Sequence, residues 1–305
     1  MKMKKLLILL CAALGCGFVP SLRGQTTLGT NEAMGALRVE RDPVLLSLGG
    51  AGSALTSTSQ AWAAFGNPAA AVFAPKKVEA ALSYASWSPQ YAAAKNIAAG
   101  VTGHVKETVA LSLGFARQGY PGLDDDPSSA FKPSDLLIRA GVGFSLSESL
   151  SLGLNAGLVK EALLSDYALS AFSVSAMAQY CAGGVNVAAG LSNLGGKVGE
   201  SPLPTSAKLA AAYGLRFGES GVDFALDTDY YFSGNYSVAA GVNGSIGGVG
   251  FLRAGYRYAS PNAVVPSYLG LGAGVSIAGF TLDLSYLAAS TSLGGSWMAG
   301  LGYRF

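Results

Sequence analysis

The feature that most constrains this chain is a short alternating pattern that recurs from about residue 78 to the end. In the last repeat, Trp297, Leu301 and Phe305 share one face, while Met298 and Gly302 share the other. Successive side chains of a strand point to opposite faces, and about ten tilted strand residues cross a bilayer. Repeats of this length and alternation predict a transmembrane β-barrel.

The pattern predicts an all-β, antiparallel barrel of about fourteen strands, an even number that places both ends of the barrel on one side. The predicted strands are 78–87, 96–105, 108–117, 135–146, 149–160, 168–180, 185–192, 205–217, 221–232, 235–245, 249–259, 268–277, 279–289 and 296–305.

The links between the predicted strands alternate in length. Every second link is tight, as at Lys106-Glu107, Ser147-Glu148 and Ala278, whereas most of the others are longer, up to 118–134. Of the expected longer links only Ser233-Gly234 is short. Short periplasmic turns and longer outer loops are typical of outer-membrane barrels, so the alternation predicts both the location and the orientation.

Composition agrees with a strand-built membrane protein. Half of the residues are hydrophobic and 12% are charged, yet no apolar run beyond the first 20 residues is long enough for a membrane helix. The strand charges fall on the face opposite the apolar one, which predicts that they line the lumen. These residues are Arg139, Lys208, Arg216, Asp223, Asp227, Asp229, Arg253, Arg257, Asp283 and Arg304.

Among these charges, Arg253, Arg257, Asp283 and Arg304 lie on neighbouring strands near the end of the chain. We expect them to form a charge network in the lumen that holds other buried polar groups. A path for a ligand is the alternative function of the same charges.

Residues 1–24 are predicted to be a secretory signal peptide. Lys2, Lys4 and Lys5 precede a short apolar segment, and a cut after Gly24 follows small residues. Cys16 raises a lipoprotein alternative, although the residues before it make a poor lipidation motif. The segment contains four of the 20 basic residues and none of the 18 acidic ones, so the remainder has a formal net charge of −2. No basic face for nucleic acid is predicted.

Residues 25–77 do not alternate and are broken by Gly and Pro. Gly49-Gly50 lie in a run of small residues, and Asn67-Pro68 form a second turn signal. The segment is too apolar for a free tail. It is therefore predicted to be a plug inside the barrel, whose domain spans 78–305.

The sequence predicts no catalytic centre, metal site or cofactor. His104 is the one histidine, which excludes a His-rich metal site and leaves one base for a Ser-His-Asp arrangement. Asp124-Asp125-Asp126 are predicted to form a solvated acidic turn rather than a calcium site. Cys181 is the one cysteine beyond the signal segment, so it has no internal disulfide partner.

The chain ends on Tyr303-Arg304-Phe305. Tyr303 and Phe305 resemble the terminal aromatic signal that is read by the outer-membrane assembly machinery. An ordinary last strand is compatible with the same residues.

Five stretches resemble the PorV/PorQ family of Bacteroidetes, which is similar in fold to FadL-type fatty-acid transporters. Asn67-Pro68-Ala69 in particular resembles the Asn-Pro-Ala element of FadL-type plugs. The stretches are RDPVLLSLGGAGSAL at 41–55, AFGNPAAAVF at 64–73, FKPSDL at 131–136, GLSNLGGKV at 190–198 and PLPTSAKLAAAYG at 202–214.

The resemblance implies a fourteen-stranded, non-enzymatic barrel in the outer membrane of a Gram-negative, Bacteroidetes-like cell. It further implies a carrier or scaffold role beside the type IX secretion machinery, with secreted proteins that bear a C-terminal signal domain and a large translocon barrel as partners. The alternative is a FadL-like transporter of small hydrophobic molecules. Arg41-Asp42-Pro43 departs from the usual stretch of the family before the Gly-Gly element, and the cargo or ligand is left open.

Overall fold

The computed structural model describes residues 32–75, 77–88, 93–120, 131–164, 167–289 and 293–305. The signal-peptide prediction and Asp124–Asp126 lie outside these residues. The chain forms one closed antiparallel barrel of fourteen strands, as predicted. No described helix is long and apolar enough to cross a membrane.

The predicted strands are confirmed, most of them to within two residues at each end. The barrel strands are β1 Val78–Trp87, β2 Ala94–Lys106, β3 Val109–Gly119, β4 Phe131–Ser145, β5 Leu150–Leu164, β6 Ala168–Ala182, β7 Val185–Gly195, β8 Ser206–Phe217, β9 Ser220–Tyr231, β10 Tyr236–Ile246, β11 Gly250–Ala259, β12 Tyr268–Ile277, β13 Phe280–Ala289 and β14 Trp297–Arg304.

The largest differences are at the outer ends of β4 and β5. β4 begins at Phe131 instead of residue 135, and β5 ends at Leu164 instead of residue 160. Backbone pairing continues there beyond the predicted ends: Ser134 lies opposite Ala162, and Glu161 lies opposite Asp135, the first predicted residue of β4. Polar side chains on both strands hide the alternation that identifies a strand from sequence.

Pairing of the first and last strands closes the barrel, with Leu82 opposite Leu301. The turns at the end where β1 begins and β14 finishes are two to four residues long, and most links at the other end are longer. The predicted orientation therefore places the short turns in the periplasm. The β7–β8 link adds a small hairpin of Lys197–Val198 and Ser201–Pro202.

The two faces of the barrel wall differ as predicted. Outward side chains are exposed and apolar, among them Leu209, Leu252 and Leu301. Inward positions are small, polar or charged, and Asp227 is 1% exposed. An apolar belt around a polar interior is the arrangement that a bilayer requires of a barrel.

The residues before β1 lie inside the lumen as the predicted plug. They form a 3₁₀ turn at Gly35–Arg38 and two short helices, α1 Pro43–Ser47 and α2 Pro68–Ala71. Each helix starts with proline after a capping side chain: Asp42 accepts from the Val44 N–H at 2.8 Å, and Asn67 accepts from the Ala69 N–H at 3.0 Å. Pro and a capping Asp or Asn favour these starts.

Glycines on the wall make room for both plug helices. A Cβ atom at Gly255 would lie 2.1 Å from the carbonyl carbon of Leu48, just after α1. On the other side of the lumen, a Cβ atom at Gly153 would lie 2.2 Å from the backbone nitrogen of Ala69 in α2. The plug backbone therefore rests directly on the wall backbone at two places, where only glycine leaves enough space.

Candidate functional site

Wall carboxylates hold the plug by its backbone. Asp227 accepts hydrogen bonds from the Gly52 N–H at 2.8 Å and from the Ser53 N–H at 3.2 Å. Glu79 accepts from the Gln60 N–H at 2.7 Å and also from the Ser59 hydroxyl. Charge-assisted bonds to buried N–H groups are strong, so these carboxylates fix the plug at two heights.

The predicted plug motif lies at a crowded contact with the wall. The Asn67 amide donates to the Ser53 carbonyl at 2.9 Å and to Oε1 of Gln179 at 2.6 Å. Pro68 packs against Gly143, where a Cβ atom would lie 2.3 Å from the Pro68 carbonyl oxygen. This motif therefore joins two parts of the plug to strand β6.

Gly49 and Gly50 have positive φ angles of 74° and 84° in the turn after α1. A Cβ atom at Gly49 would lie 2.7 Å from the backbone of Tyr256. The turn therefore needs glycine at this position for both its conformation and its contact with the wall.

The predicted charge network is divided rather than continuous. Arg253 pairs with Asp283 at 2.7 Å, whereas Arg257 donates to the Tyr231 hydroxyl at 3.4 Å. Arg304 has no ion pair among the described residues. Arg257 lies four residues beyond Arg253 on strand β11, toward the outer end. This distance along an extended strand separates the two guanidinium groups. The joint role of these four residues in the lumen stays a prediction.

A chamber of about 340 Å³ lies between the plug and the outer ends of the strands. Its floor comes from the plug, and Trp87, Gln118 and Tyr268 are among its wall residues. Pockets for small molecules occupy about 300–1,000 Å³, so the chamber fits a compact ligand.

Three arginines in the chamber lack a carboxylate partner among the described residues. They are Arg41 on the plug, Arg139 on β4 and Arg257 on β11, all of them at most 9% exposed. The Nε atom of each is buried with no hydrogen-bond partner within that part of the chain. Buried cations are normally paired, so this is an unusual concentration of uncompensated positive charge.

Neutral groups hold these guanidinium groups in place. Arg139 donates to Oδ1 of Asn193 at 3.2 Å, to the Ser175 hydroxyl at 3.1 Å and also to Asn155. Asn193 has a positive φ of 56° at a point where the register of β6 and β7 shifts. The bulge at Asn193 therefore brings an acceptor within reach of Arg139.

Arg41 donates to the carbonyl oxygens of Ala36 and Val39 on the plug. Burial lowers the pKa of Arg41 to about 10, so it is still charged at neutral pH. Burial and nearby Glu40 raise the pKa of Asp42, the next residue. Glu40 and Asp135 act on the pKa of Arg41 in the opposite direction to burial, but neither forms an ion pair with its guanidinium among the described residues.

Other cations of the chamber are neutralised within the protein. Lys208 lies 3.2 Å from Asp229 and 3.6 Å from Asp227. Arg38 pairs with Glu32 and stacks on the Tyr231 ring, with its central carbon 3.6 Å from the ring centroid. These pairs set the three uncompensated arginines apart.

Part of the chamber lining is apolar. Leu37, Trp62, Phe65, Leu137 and Met177 contribute to its lining. The rings of Trp62 and Phe65 are 6.4 Å apart, and the Arg41 guanidinium lies 5.3 Å from the Phe65 centroid. The chamber therefore combines an apolar wall with a cationic one.

The outer hairpin covers one side of this space. Its following residue Leu203 is 2% exposed and packs with Leu37, Trp62 and Leu137. The Ala33 N–H donates to the Pro202 carbonyl at 2.9 Å. The hairpin and the start of the plug are thus joined above the chamber.

The fold matches solved outer-membrane channels. The toluene transporter TbuX of Ralstonia pickettii aligns with a TM-score of 0.60 and 13% identity over 86% of this chain and 98% of that one. The monoaromatic hydrocarbon channel CymD aligns at 0.61 and 12% over 87% and 97%. The toluene transporter TodX of Pseudomonas putida aligns at 0.59 and 13% over 86% and 98%. The chain is an outer-membrane barrel of this fold.

At 12–13% identity, these likenesses establish the fold alone. No family model matches the chain, and no curated protein matches it. The solved structures that it resembles are channels rather than enzymes.

The structure places the remaining sequence-predicted residues away from the chamber. Phe305 is 62% exposed on the outer face and stacks edge-on against Tyr303, with ring centroids 4.5 Å apart. Nε2 of His104 lies 3.2 Å from the Val72 carbonyl oxygen of the plug. No cluster of three or more His, Cys, Asp or Glu residues that could hold a metal occurs within the described ranges.

Sequence reasoning missed the chamber arginines as a group. Arg139 was recognised as a lumen residue, but Arg41 was treated as part of the plug sequence without a role. The available signal was the group of charges Arg38, Glu40, Arg41 and Asp42, which precedes a stretch, 43–75, without any charged residue. The sequence around Asn193 is equally compatible with a loop, so it did not predict the bulge.

Proposed function

We propose that this barrel admits small hydrophobic molecules that have an acidic group through the outer membrane. The observation that favours this function is the chamber, which combines an apolar wall with three buried arginines that form no ion pair among the described residues. A ligand with a carboxylate or a similar anion would neutralise those arginines while its apolar part contacts Trp62, Phe65 and Leu137.

The physical argument rests on the cost of uncompensated burial. A guanidinium group that is removed from water loses hydration, and neutral oxygen acceptors replace only part of it. Charge-assisted hydrogen bonds from arginine to an anion contribute more than neutral ones. The likeness to hydrocarbon channels supports the passage of small organic molecules. The arginines are the reason for proposing that these molecules have an acidic group.

A titration with two matched probes tests the proposal. Octanoate and 1-octanol share an eight-carbon chain and differ in charge, and each is titrated calorimetrically into the purified full-length barrel. We expect octanoate to bind at least about tenfold more tightly, since hydrogen bonds to charged groups contribute about 1.5–3 kcal/mol. Equal affinity for the two probes would contradict the proposed acidic group.

Variants connect the preference to the arginines. Arg139→Gln keeps a hydrogen-bonding side chain and removes the charge, so it should abolish most of the octanoate preference while octanol binding changes little. Lys106→Gln removes an exposed charge at the periplasmic end of β2 and serves as the matched control. If the control variant also lost octanoate binding, the loss in Arg139→Gln would be due to the overall charge of the protein and not to the chamber arginine.

The second candidate is a PorV/PorQ-like carrier or scaffold in type IX secretion of a Bacteroidetes-like cell. The resemblance of the plug stretch at 41–55 and of the stretch at 190–198 favours it. Pull-down of the tagged barrel from native outer membrane, followed by mass spectrometry, distinguishes the two. Recovery of secreted proteins with C-terminal signal domains and of a large translocon barrel would favour the scaffold over the transporter.

A further inference from the structure

Three basic side chains occupy the outward face of the barrel near its outer rim. Lys95 is on β2, Arg117 on β3 and Lys160 on β5, and all three are exposed. Away from the periplasmic turns, these are the charged strand residues that point outward among the side chains that the structure describes. We call these three residues the rim patch.

The strand registers place the rim patch in one small area. Arg117 lies opposite Leu136, and Leu136 lies opposite Lys160, so the two basic residues share a row with one strand between them. Two strand spacings correspond to about 10 Å. Lys95 lies opposite Gly119 and is the diagonal neighbour of Arg117, at about 7–8 Å.

An apolar belt begins directly below the patch. Ile97, Phe115, Ile138, Leu158 and Phe172 point outward on β2 to β6 and are 42–57% exposed. The row of Arg117 and Lys160 therefore marks the level at which the hydrocarbon region gives way to headgroups. Charged side chains cost little at this interface and much more at the bilayer midplane.

The positive charge of the patch is uncompensated within the described residues. None of the three side chains has a salt bridge there. The nearest acidic residues on the same strands, Asp135 and Glu161, point inward, and Glu161 accepts a hydrogen bond from the Ala36 N–H of the plug. The patch is positively charged, whereas the chain beyond residue 24 has a formal net charge of −2.

We infer that the rim patch binds the phosphate groups of a phosphorylated lipid in the outer leaflet, and that the acyl chains of this lipid lie on the apolar belt below. Two positive side chains that are about 10 Å apart, with apolar Leu136 between them, fit a headgroup with more than one phosphate. This site is on the outside of the wall and is independent of the chamber and its ligand.

The test uses lipid A with two phosphates and dephosphorylated lipid A, which keeps the acyl chains. Each is titrated into the purified full-length barrel in detergent micelles. We expect the phosphorylated probe to bind at least about tenfold more tightly and to weaken as salt is added, because each basic residue at a lipid surface adds attraction. Arg117→Gln/Lys160→Gln should lose most of this preference.

The matched control is Lys77→Gln/Lys106→Gln, which removes two exposed positive charges at the periplasmic end. It should retain the preference, and faster migration of the unheated protein on a gel would show that both variants are folded. Three results would overturn the inference. They are equal binding of both probes, equal effects of the two double variants, and complete competition by free inorganic phosphate at the concentration of the lipid.

Discussion

At the scale of single residues, the lumen contains two kinds of charge with different roles. Carboxylates such as Asp227 and Glu79 accept hydrogen bonds from plug N–H groups and serve structure. Arg41, Arg139 and Arg257 form no ion pair within the described part of the chain, and we propose that they meet the ligand. Sequence alternation predicted that such charges face the lumen, but it could not predict their pairing, because pairing depends on the height of each residue in neighbouring strands.

Asp227→Asn is expected to loosen the plug. The amide cannot accept the Gly52 and Ser53 N–H groups with the same strength, and Lys208 loses one of its two carboxylate partners. Loss of hydrogen bonds to a charged group should lower the free energy of unfolding by about 1.5–3 kcal/mol. Urea unfolding of the purified barrel, together with influx of a small hydrophilic dye into cells, measures both effects.

Glu107→Gln in the exposed turn after β2 changes charge by the same amount and is the control. An Asp227→Asn protein with unchanged stability and unchanged dye influx would show that this carboxylate does not hold the plug.

At the scale of elements, strand prediction succeeded because the bilayer imposes a strict pattern of apolar and polar faces. The pattern did not predict the structure where strands extend beyond the bilayer or are irregular, at the outer parts of β4 and β5 and at the bulge near Asn193. The plug helices were not predicted individually, since four or five residues are too few for helical periodicity. The wall glycines beneath them were visible only as a high glycine content.

Gly153→Ala should displace α2 from the wall. The added Cβ atom would lie 2.2 Å from the Ala69 backbone nitrogen, so plug and strand cannot both keep their positions. Overpacking of this kind costs about 1–3 kcal/mol. Gly244→Ala, whose Cβ atom would meet nothing closer than 3.7 Å, is the matched control in the same unfolding assay. Equal stability of the two variants would contradict direct backbone contact at Gly153.

Deletion of Phe305 is expected to lower the amount of folded barrel in the outer membrane severalfold. The Phe305 N–H donates to the Val78 carbonyl at 2.9 Å, and its ring is exposed on the outer face of the barrel. Phe217→Ala removes an equally exposed aromatic ring at the periplasmic end of β8 and should have little effect. The heat-modifiable band in membrane fractions measures both proteins. Normal levels after the deletion would remove the proposed role in assembly.

At the scale of the whole molecule, the barrel, its plug and its orientation follow from length, alternation and loop asymmetry. The chamber does not, because its lining comes from the plug, seven or more strands and the outer links. Only the folded chain brings Arg41 next to Phe65 and within one cavity with Arg139 and Arg257. The proposed ligand class therefore rests on three-dimensional arrangement, whereas the fold rests on local pattern.

Uptake of radiolabelled octanoate by intact cells tests the proposed function most directly. Cells lacking their own fatty-acid channel are compared when they produce the wild-type barrel, the Arg41→Gln/Arg139→Gln variant or no barrel, with equal amounts of folded protein in the membrane. The account predicts that the wild type accelerates uptake several-fold over cells without the barrel and that the double variant loses most of that gain. Uptake by wild-type cells that is no faster than uptake by cells without the barrel would contradict it.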